Sequence, residues 1–439
     1  MARRTANDEA WEQAFESLNL IDPIRQKGWV DVTAKNLRQF REPRLMAKID
    51  YSANRPEIFR QEGLNILSLS SSHYRIGKFD VFRPIPEEKY RQAPITRLEL
   101  PVGIESLPFK GLTSESSVVT SAHAAGILEK FCGDELLLTS FGRMRTPQFD
   151  FTIAGKGGDK YNLSVNSATI EIDAAFENSR ALHVFEVKNH RPGDFNMRQL
   201  YYPYRTWKSK IHKPVEPVFM TYSNDVYDLY QLSFIDDKDF SSSVIERHER
   251  FVVGEGSVLR QDLQEIALRV SMQRAWNDSY RSRIPFPQAD SFTRVIDLVS
   301  ILIEQPMSAE ELTTHYGFDA RQSDYYYNAA KYLGLADSSR DGAIGSEFRF
   351  PTQRAKNLFS LSYREKFLGL ASLVLAIEPI NEAFRRFESD HNRAVSRTVQ
   401  DIFCESAEAK VFGYAATTIE RRSQTIQAWV AWLNSLPEG

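Results

Sequence analysis

The stretch "IEIDAAFENSRALHVFEVKNH" (Ile170–His190) decides how the chain is read. Two apolar, β-prone runs flank the polar segment "ENSR" (Glu177–Arg180), which is the pattern of an antiparallel hairpin. Each strand carries charge where the pattern otherwise reads as sheet interior: Asp173 in the first, Glu186 and Lys188 in the second. Side chains two apart share a strand face, so Glu186 and Lys188 point the same way and Val187 points the other. Pairing across the hairpin predicts two carboxylates close together with an ammonium beside them.

That trio has a chemical use. Two carboxylates with few other ligands suit Mg2+, which prefers oxygen and keeps several waters. Such an ion neutralises charge on a scissile phosphate and lowers the pKa of a bound water. A lysine two residues from a ligand reaches the attacking water or a phosphate oxygen and stabilises the transition-state charge. The chemistry predicted is metal-dependent phosphodiester hydrolysis. The competing interpretation is an ion-pair ladder on an exposed edge strand, worth little energy. Against it stand the apolar flanks "IEI" and "LHVF", which imply burial, where unpaired charges are costly. The next stretch is also basic: Arg191, Arg198, Arg205, Lys208, Lys210 and Lys213 face Asp194 alone between residues 189 and 213. A basic helix beside an acidic pair predicts a phosphate-bearing substrate.

The D-x(n)-E-x-K arrangement of Asp173, Glu186 and Lys188 resembles the PD-(D/E)xK nuclease superfamily. Taken with "REPRLMAKID", "GRMRTPQFDF", "IEIDAAFE" and "DFNMRQLYYPYR", the chain resembles type II restriction endonucleases with appended winged-helix domains. The nuclease-core resemblance covers about residues 114–235. It implies that Asp173 and Glu186 bind Mg2+, that Val187 lends its carbonyl and that Lys188 aids the nucleophile. One departure is that Ile172 stands where the family often has proline.

Further candidates surround the trio. Glu171 shares a strand face with Asp173 and is an additional acidic ligand candidate, or a solvated charge. Glu129, near the end of the preceding helix, is a second such candidate. Arg143 and Arg145 are candidate phosphate contacts, against a loop salt bridge. On the basic helix, Arg198, Gln199, Tyr202, Arg205 and Lys208 are candidate DNA contacts, against plain helix-surface chemistry. His123, His183 and His190 have no ligand spacing and read as structural.

Outward from this core the chain divides into five parts. Residues 1–113 read as an N-terminal α+β unit, a candidate for DNA recognition, and 114–255 as the nuclease core. Within the core, helix, several strands, helix and two strands predict an α/β (α+β), restriction-endonuclease-like fold with a mixed β-sheet flanked by helices. A connector helix follows over 256–287, and 288–352 reads as three helices and a hairpin, the winged form of the helix-turn-helix. Ser308 and Glu311 form a capping box on its second helix. Its third helix carries Arg321, Gln322, Asn328 and Lys331, side chains suited to base edges and backbone phosphate. A winged helix also serves as a protein-contact module. Residues 353–439 read as mostly helical, with a second, degenerate winged helix allowed by "TTIERRSQTIQAWVAWL".

Composition sets bounds. With 439 residues, 42% hydrophobic and 26% charged, the chain is long enough for several cores. A formal net charge of -3 gives no global basic field, so nucleic-acid binding must come from local patches. Two distant cysteines, Cys132 and Cys404, exclude a CxxC zinc frame and fit a reducing cytosol. The N-terminus lacks the apolar core of a secretory signal, and no run is long enough to span a membrane, so a cytoplasmic location is expected.

The expectation is a sequence-specific, Mg2+-dependent double-strand DNA endonuclease of a restriction-modification system. The resemblance implies 5′-phosphate and 3′-hydroxyl ends. Cutting two strands implies a homodimer, and the genetic partner expected is a cognate DNA methyltransferase. Two alternatives stay open: a repair or recombination nuclease acting on DNA structure, and a non-catalytic winged-helix DNA-binding regulator.

Overall fold

The computed structural model describes residues 5–85, 94–112, 114–155, 157–254, 256–271, 284–316, 320–340, 347–387 and 396–436. The N-terminal unit opens with α1 (Ala6–Ser17), capped by a Thr5–Asp8 box and buried through Trp11 and Phe15. Strands β1 (Trp29–Thr33), β2 (Asn65–Ser68) and β3 (His73–Gly77) form a small sheet in the order β1-β3-β2. Thr33 ends β1 and caps the helix Ala34–Leu37, as expected. Beyond Gly77 the chain leaves this unit. Strand β4 (Phe82–Pro84) and strand β5 (Ile95–Leu98) pair with later segments instead. The boundary expected at residue 113 therefore falls near 77. Extended residues look alike in sequence, and only long-range pairing shows which sheet claims them.

The central sheet contains β6 (Leu137–Arg145), β9 (Thr169–Glu177), β10 (Leu182–Lys188), β12 (Val215–Ser223), β13 (Val226–Phe234) and β14 (Ser243–Val253). With β5 it forms seven strands in the order β5-β14-β13-β12-β10-β9-β6. Between β6 and β9 lies a separate hairpin, β7 (Phe149–Ala154) with β8 (Lys160–Val165). Strand β11 (Asp194–Asn196) pairs with β4. The architecture is mixed α+β. β10 is antiparallel to β9 and parallel to β12, and all seven of its residues are buried. Helices cover both of its faces. α2 (Glu115–Ala124) packs Val118 and Ala122 with Phe185 and Val187, while α3 (Arg198–Lys208) packs Leu200 and Tyr201 with Leu182 and Val184.

The segment expected to form a winged helix holds, among its described residues, three helices and three short strands. Its elements are α4 (Phe292–Glu304), β15 (Met307–Ser308), α5 (Ala309–Tyr316), α6 (Ala320–Tyr332), β16 (Ala336–Arg340) and β17 (Glu347–Pro351). The three strands pair in the order β15-β17-β16. The remaining helices include α7 (Tyr363–Leu375) and α8 (Ala416–Ser435). Among the described residues from 353 to 436 there is no strand, so no second winged helix forms. The apolar stripe on α8 instead completes the first one: Phe292 of α4 meets Trp429 and Trp432 with ring centroids 4.8 and 4.2 Å apart. Arg422, expected on the polar face, is buried and donates to the Phe286 carbonyl. No single helix among the described residues is long and apolar enough to cross a membrane.

The C-terminal helices are tied to the central sheet by buried polar contacts. Lys366 of α7 pairs with Asp225 in the β12–β13 turn, and Tyr222 donates to the same carboxylate at 2.7 Å. Arg364 pairs with Asp262 at 2.6 Å. The Asp225 carboxyl is held below its usual range despite burial, because Lys366 and Tyr222 favour its charged form. Removing Lys366 would leave a buried, uncompensated charge. We expect Lys366→Met to lower unfolding stability by about 3–5 kcal/mol in urea titration. A loss below about 1 kcal/mol would show the pair to be solvated.

Candidate active site

The hairpin brings the predicted trio together. The β9–β10 ladder runs from Leu182 opposite Glu177 to Phe185 opposite Ala174, so the next positions in register are Glu186 and Asp173. Asn178 shapes the turn: its side-chain oxygen accepts from the Arg180 and Ala181 backbone at 2.9 and 2.8 Å. On the other side of β9, Ser140 faces Ala175 and Gly142 faces Ile172. Asp173 and Ala174 together stand opposite Phe141, a bulge of the kind that re-aims side chains. The Val187 amide then donates to the Asp173 carboxylate at 2.7 Å rather than to a strand carbonyl.

Lys188 is the hub. Its Nζ donates to Glu186 and to Glu115, each at 2.7 Å. Gln199, in the first turn of α3, donates its amide to the same Glu186 oxygen. Three carboxylates thus share one ammonium in a buried setting. Burial, with Asp173 and Glu115 adding to it against Lys188, pushes Glu186 up to about 8. Burial, opposed by Lys188 and the Val187 amide, leaves Asp173 at about 6. Burial alone would lower Lys188, but Glu186 and the other surrounding groups hold its ammonium well above its usual range.

These groups open onto a cleft of about 640 Å3 between the N-terminal unit and the sheet. The N-terminal wall brings Arg38, Arg44, Lys48 and Tyr51 toward Asp173, Glu186 and Lys188. The wall is stitched to β11: Asn196 donates to the Asp50 carbonyl from its backbone and to the Ile49 carbonyl from its side chain, both at 2.9 Å. Asp194 accepts from the Ser52 amide at 2.9 Å. Tyr51 sits edge-on to His190, with ring centroids 5.4 Å apart, two residues beyond Lys188.

Other candidates divide. Glu171, Arg143, Arg198 and Gln199 line the cleft. Glu171 is half-exposed and holds Arg44 at 3.5 Å and Arg143 at 3.4 Å. Arg145 does not line the cleft and donates to Ser167 at 3.4 Å. Glu129 is not at the site either. The single helix expected over 114–133 breaks at Gly126, which takes a left-handed φ of 74°, and the short helix beyond it turns Glu129 onto His123 at 2.6 Å. The helix acid that does reach the trio is Glu115, which sequence reasoning passed over. Its signal was present: it is the acidic residue of the first turn after the Ser114 cap.

Of the candidates on α3, only Arg198 and Gln199 in the first turn line the cleft. Tyr202 donates to the Ser68 carbonyl at 2.9 Å and holds the N-terminal sheet. Arg205 and Lys208 are both bound to Asp237, so they serve the fold rather than a substrate. On the winged helix, Arg321, Gln322 and Asn328 are exposed, while Lys331 pairs with Asp337 at 3.1 Å. Arg321, Gln322 and Tyr325 share a surface groove with Arg421 and Gln424 of α8.

Among the described residues, no three His, Cys, Asp or Glu side chains are grouped to hold a metal ion. Mg2+ asks for less, since one or two carboxylates and retained waters are enough. Asp173 and Glu186 supply that pair, and the buried Gln199 Oε1 beside Glu186 has no hydrogen-bond partner. The donor set fits a hard dication.

Residues 8–76 match a domain of unknown function (DUF6996), residues 77–252 a second (DUF6997) and residues 294–438 a third (DUF7226). The first boundary coincides with the end of β3, and the third match begins inside α4. No curated protein and no solved structure matches the chain.

The raised carboxyls carry a stability signature. A carboxyl whose folded pKa is raised stabilises the fold fully below its unfolded value, about 4. That contribution is lost as pH rises through about 6 for Asp173 and about 8 for Glu186. Metal-free protein should therefore lose thermal stability between roughly pH 5 and 8, and Glu186→Gln should flatten the upper half of that fall. Identical slopes for the two proteins would contradict the shared-ammonium account.

Proposed function

We propose that the chain is a Mg2+-dependent endonuclease that cuts double-stranded DNA at a specific sequence, built on a restriction-endonuclease-like PD-(D/E)xK core. The observation that carries this is the buried Asp173–Glu186–Lys188 cluster facing a cleft edged with arginine and lysine. Asp173 and Glu186 would hold the ion, with the Val187 carbonyl as the expected third oxygen. The bound ion supplies charge neutralisation at the phosphate and a more acidic water.

The protein's own groups do the rest. Lys188 keeps its proton, so it donates to the attacking water or to a non-bridging phosphate oxygen and stabilises the charge that builds there. Gln199 and Glu115 hold Glu186 and Lys188 in place. Arg38, Arg44 and Lys48 on the N-terminal wall, with Arg143 and Arg198 opposite, bind the flanking phosphates. Substrate phosphate competes with Glu171 for Arg44 and Arg143, an exposed triad weak enough to open. Water replaces the 3′-oxygen on phosphorus, leaving 5′-phosphate and 3′-hydroxyl ends.

The winged helix reads bases through Arg321, Gln322 and Asn328, with Arg421 and Gln424 alongside. One chain presents one such cluster, so cutting both strands calls for a homodimer. A cognate DNA methyltransferase is the genetic partner that a restriction role requires.

Plasmid incubation with and without Mg2+ tests the reading. Discrete Mg2+-dependent fragments support it, branch-specific cutting supports a repair nuclease, and a gel shift without cleavage supports a regulator. Lys188→Ala should lower single-turnover cleavage by roughly 1,000-fold or more while DNA affinity stays within about threefold. Retained cleavage would remove Lys188 from the chemistry. Arg321→Ala should weaken specific binding by roughly 10-fold or more, a loss of about 1–3 kcal/mol, and an unchanged gel-shift affinity would remove α6 from base reading.

A further inference from the structure

A second cavity, of about 230 Å3, lies where the winged-helix segment meets the central sheet, against Asp228, Arg250 and Ile95, which continue the cross-strand row of Lys188 and Thr221. Four aromatic rings wall it in two pairs. Phe292 and Trp432 have centroids 4.2 Å apart, and Tyr363 and Phe367 4.6 Å apart. The same cavity wall carries a polar relay. Asn224 Nδ2 donates to Ser223 Oγ at 2.8 Å, and Ser223 Oγ donates to Asp297 Oδ1 at 2.7 Å.

Both ends of the relay are left open. Asp297 is 4% exposed, and its Oδ2 has no hydrogen-bond partner; neither has Asn224 Oδ1. A buried acceptor without a partner costs about 1–3 kcal/mol, so two on one relay in one cavity wall call for a donor. Burial, opposed by the Ser223 hydroxyl and by Arg294, Arg191 and Lys366, pushes the Asp297 carboxyl up to about 7. Arg191 and Arg294 line the same space and add donors at its rim.

Flat apolar walls with two adjacent acceptors match one ligand chemistry: a planar heterocycle with neighbouring N–H groups on one edge. We propose that this cavity binds a free guanine-type purine base or nucleoside, whose adjacent N1–H and N2–H groups donate to Asp297 and Asn224 while its ring packs against the aromatic walls. Asn224 stands in the β12–β13 turn of the sheet and Asp297 on α4 of the winged helix. A bound purine therefore bridges the two units. Arg191 connects the cavity to the catalytic strand: it follows Lys188 by three residues and donates to Asp228 and Tyr230 at 3.4 and 3.2 Å. The proposal is independent of the nuclease reading, because binding needs no cleavage to be observed.

The test is saturation-transfer NMR and thermal denaturation of the full chain with guanosine, adenosine and caffeine at millimolar concentration. Caffeine is a purine without N–H groups. Saturable binding of guanosine with a raised melting temperature is expected, with adenosine, which lacks adjacent N–H groups, binding more weakly and caffeine failing to compete. Asp297→Ala should weaken binding by roughly 10-fold or more through loss of a hydrogen bond to a charged group. Ala428→Phe, a partly buried wall position on α8, should fill the cavity and abolish binding while melting stays cooperative. Absence of guanosine binding to the wild-type chain would overturn the proposal, as would binding retained in both variants or equal binding of adenosine or caffeine.

Discussion

The β9–β10 ladder stops one residue short of where it could, and the candidate site depends on that. After Phe185 and Ala174 the next strand donor, Val187 N–H, is taken by the Asp173 carboxylate. A side chain thereby substitutes for a backbone carbonyl at the edge of the cleft. The bulge opposite Phe141 lets Asp173 leave the plain alternation of its strand without losing the pairing of Ala175 and Phe176. Glu186 and Lys188 need no such device, because they lie two apart on a strand flanked on both sides and buried throughout. Position comes from the sheet, and burial then raises the energetic stakes of every charge held there.

The surrounding elements follow from those stakes. One buried ammonium is shared between Glu186 and the Glu115 carboxylate at the start of α2, and the start of α3 contributes the Gln199 amide as a second donor to Glu186. The N-terminal unit is more than an appendage: Asn196, Asp194 and Tyr202 fasten it to the core and set its basic wall across from the trio. At the other end, Lys366 of α7 on Asp225 and Asp297 of α4 under Ser223 fix the C-terminal helices to the end of the same sheet.

Much of this was legible in the residues. The alternation of "IEIDAAFE" and "LHVFEVK" shows both strands and the hairpin, and the helix-strand order of the winged unit shows its three helices and wing. Local periodicity carries such information. It does not carry partners. Nothing near residue 95 says that β5 joins β14 about 150 positions later, so the N-terminal boundary was drawn too late. The half-polar run "IERHER" of β14 hides a strand that pairs on both edges. The left-handed turn at Gly126 breaks the helix, so Glu129 meets His123 and Glu115 meets Lys188, which helical spacing alone does not show. Arg205 and Lys208 look like phosphate ligands by charge alone, but Asp237 claims them from a distant loop. The ring partner of Trp429 on α8 is Phe292, far back in the chain, and local pattern does not show such pairings.

The central claim is that Asp173 and Glu186 jointly hold a catalytic divalent ion. Anomalous scattering from crystals of the chain grown with Mn2+ in place of Mg2+ tests it most directly. The account predicts one strong anomalous peak bonded to both carboxylates, absent in crystals of Asp173→Asn. A cleft with no peak at saturating Mn2+, or a peak that survives that substitution unmoved, would contradict it.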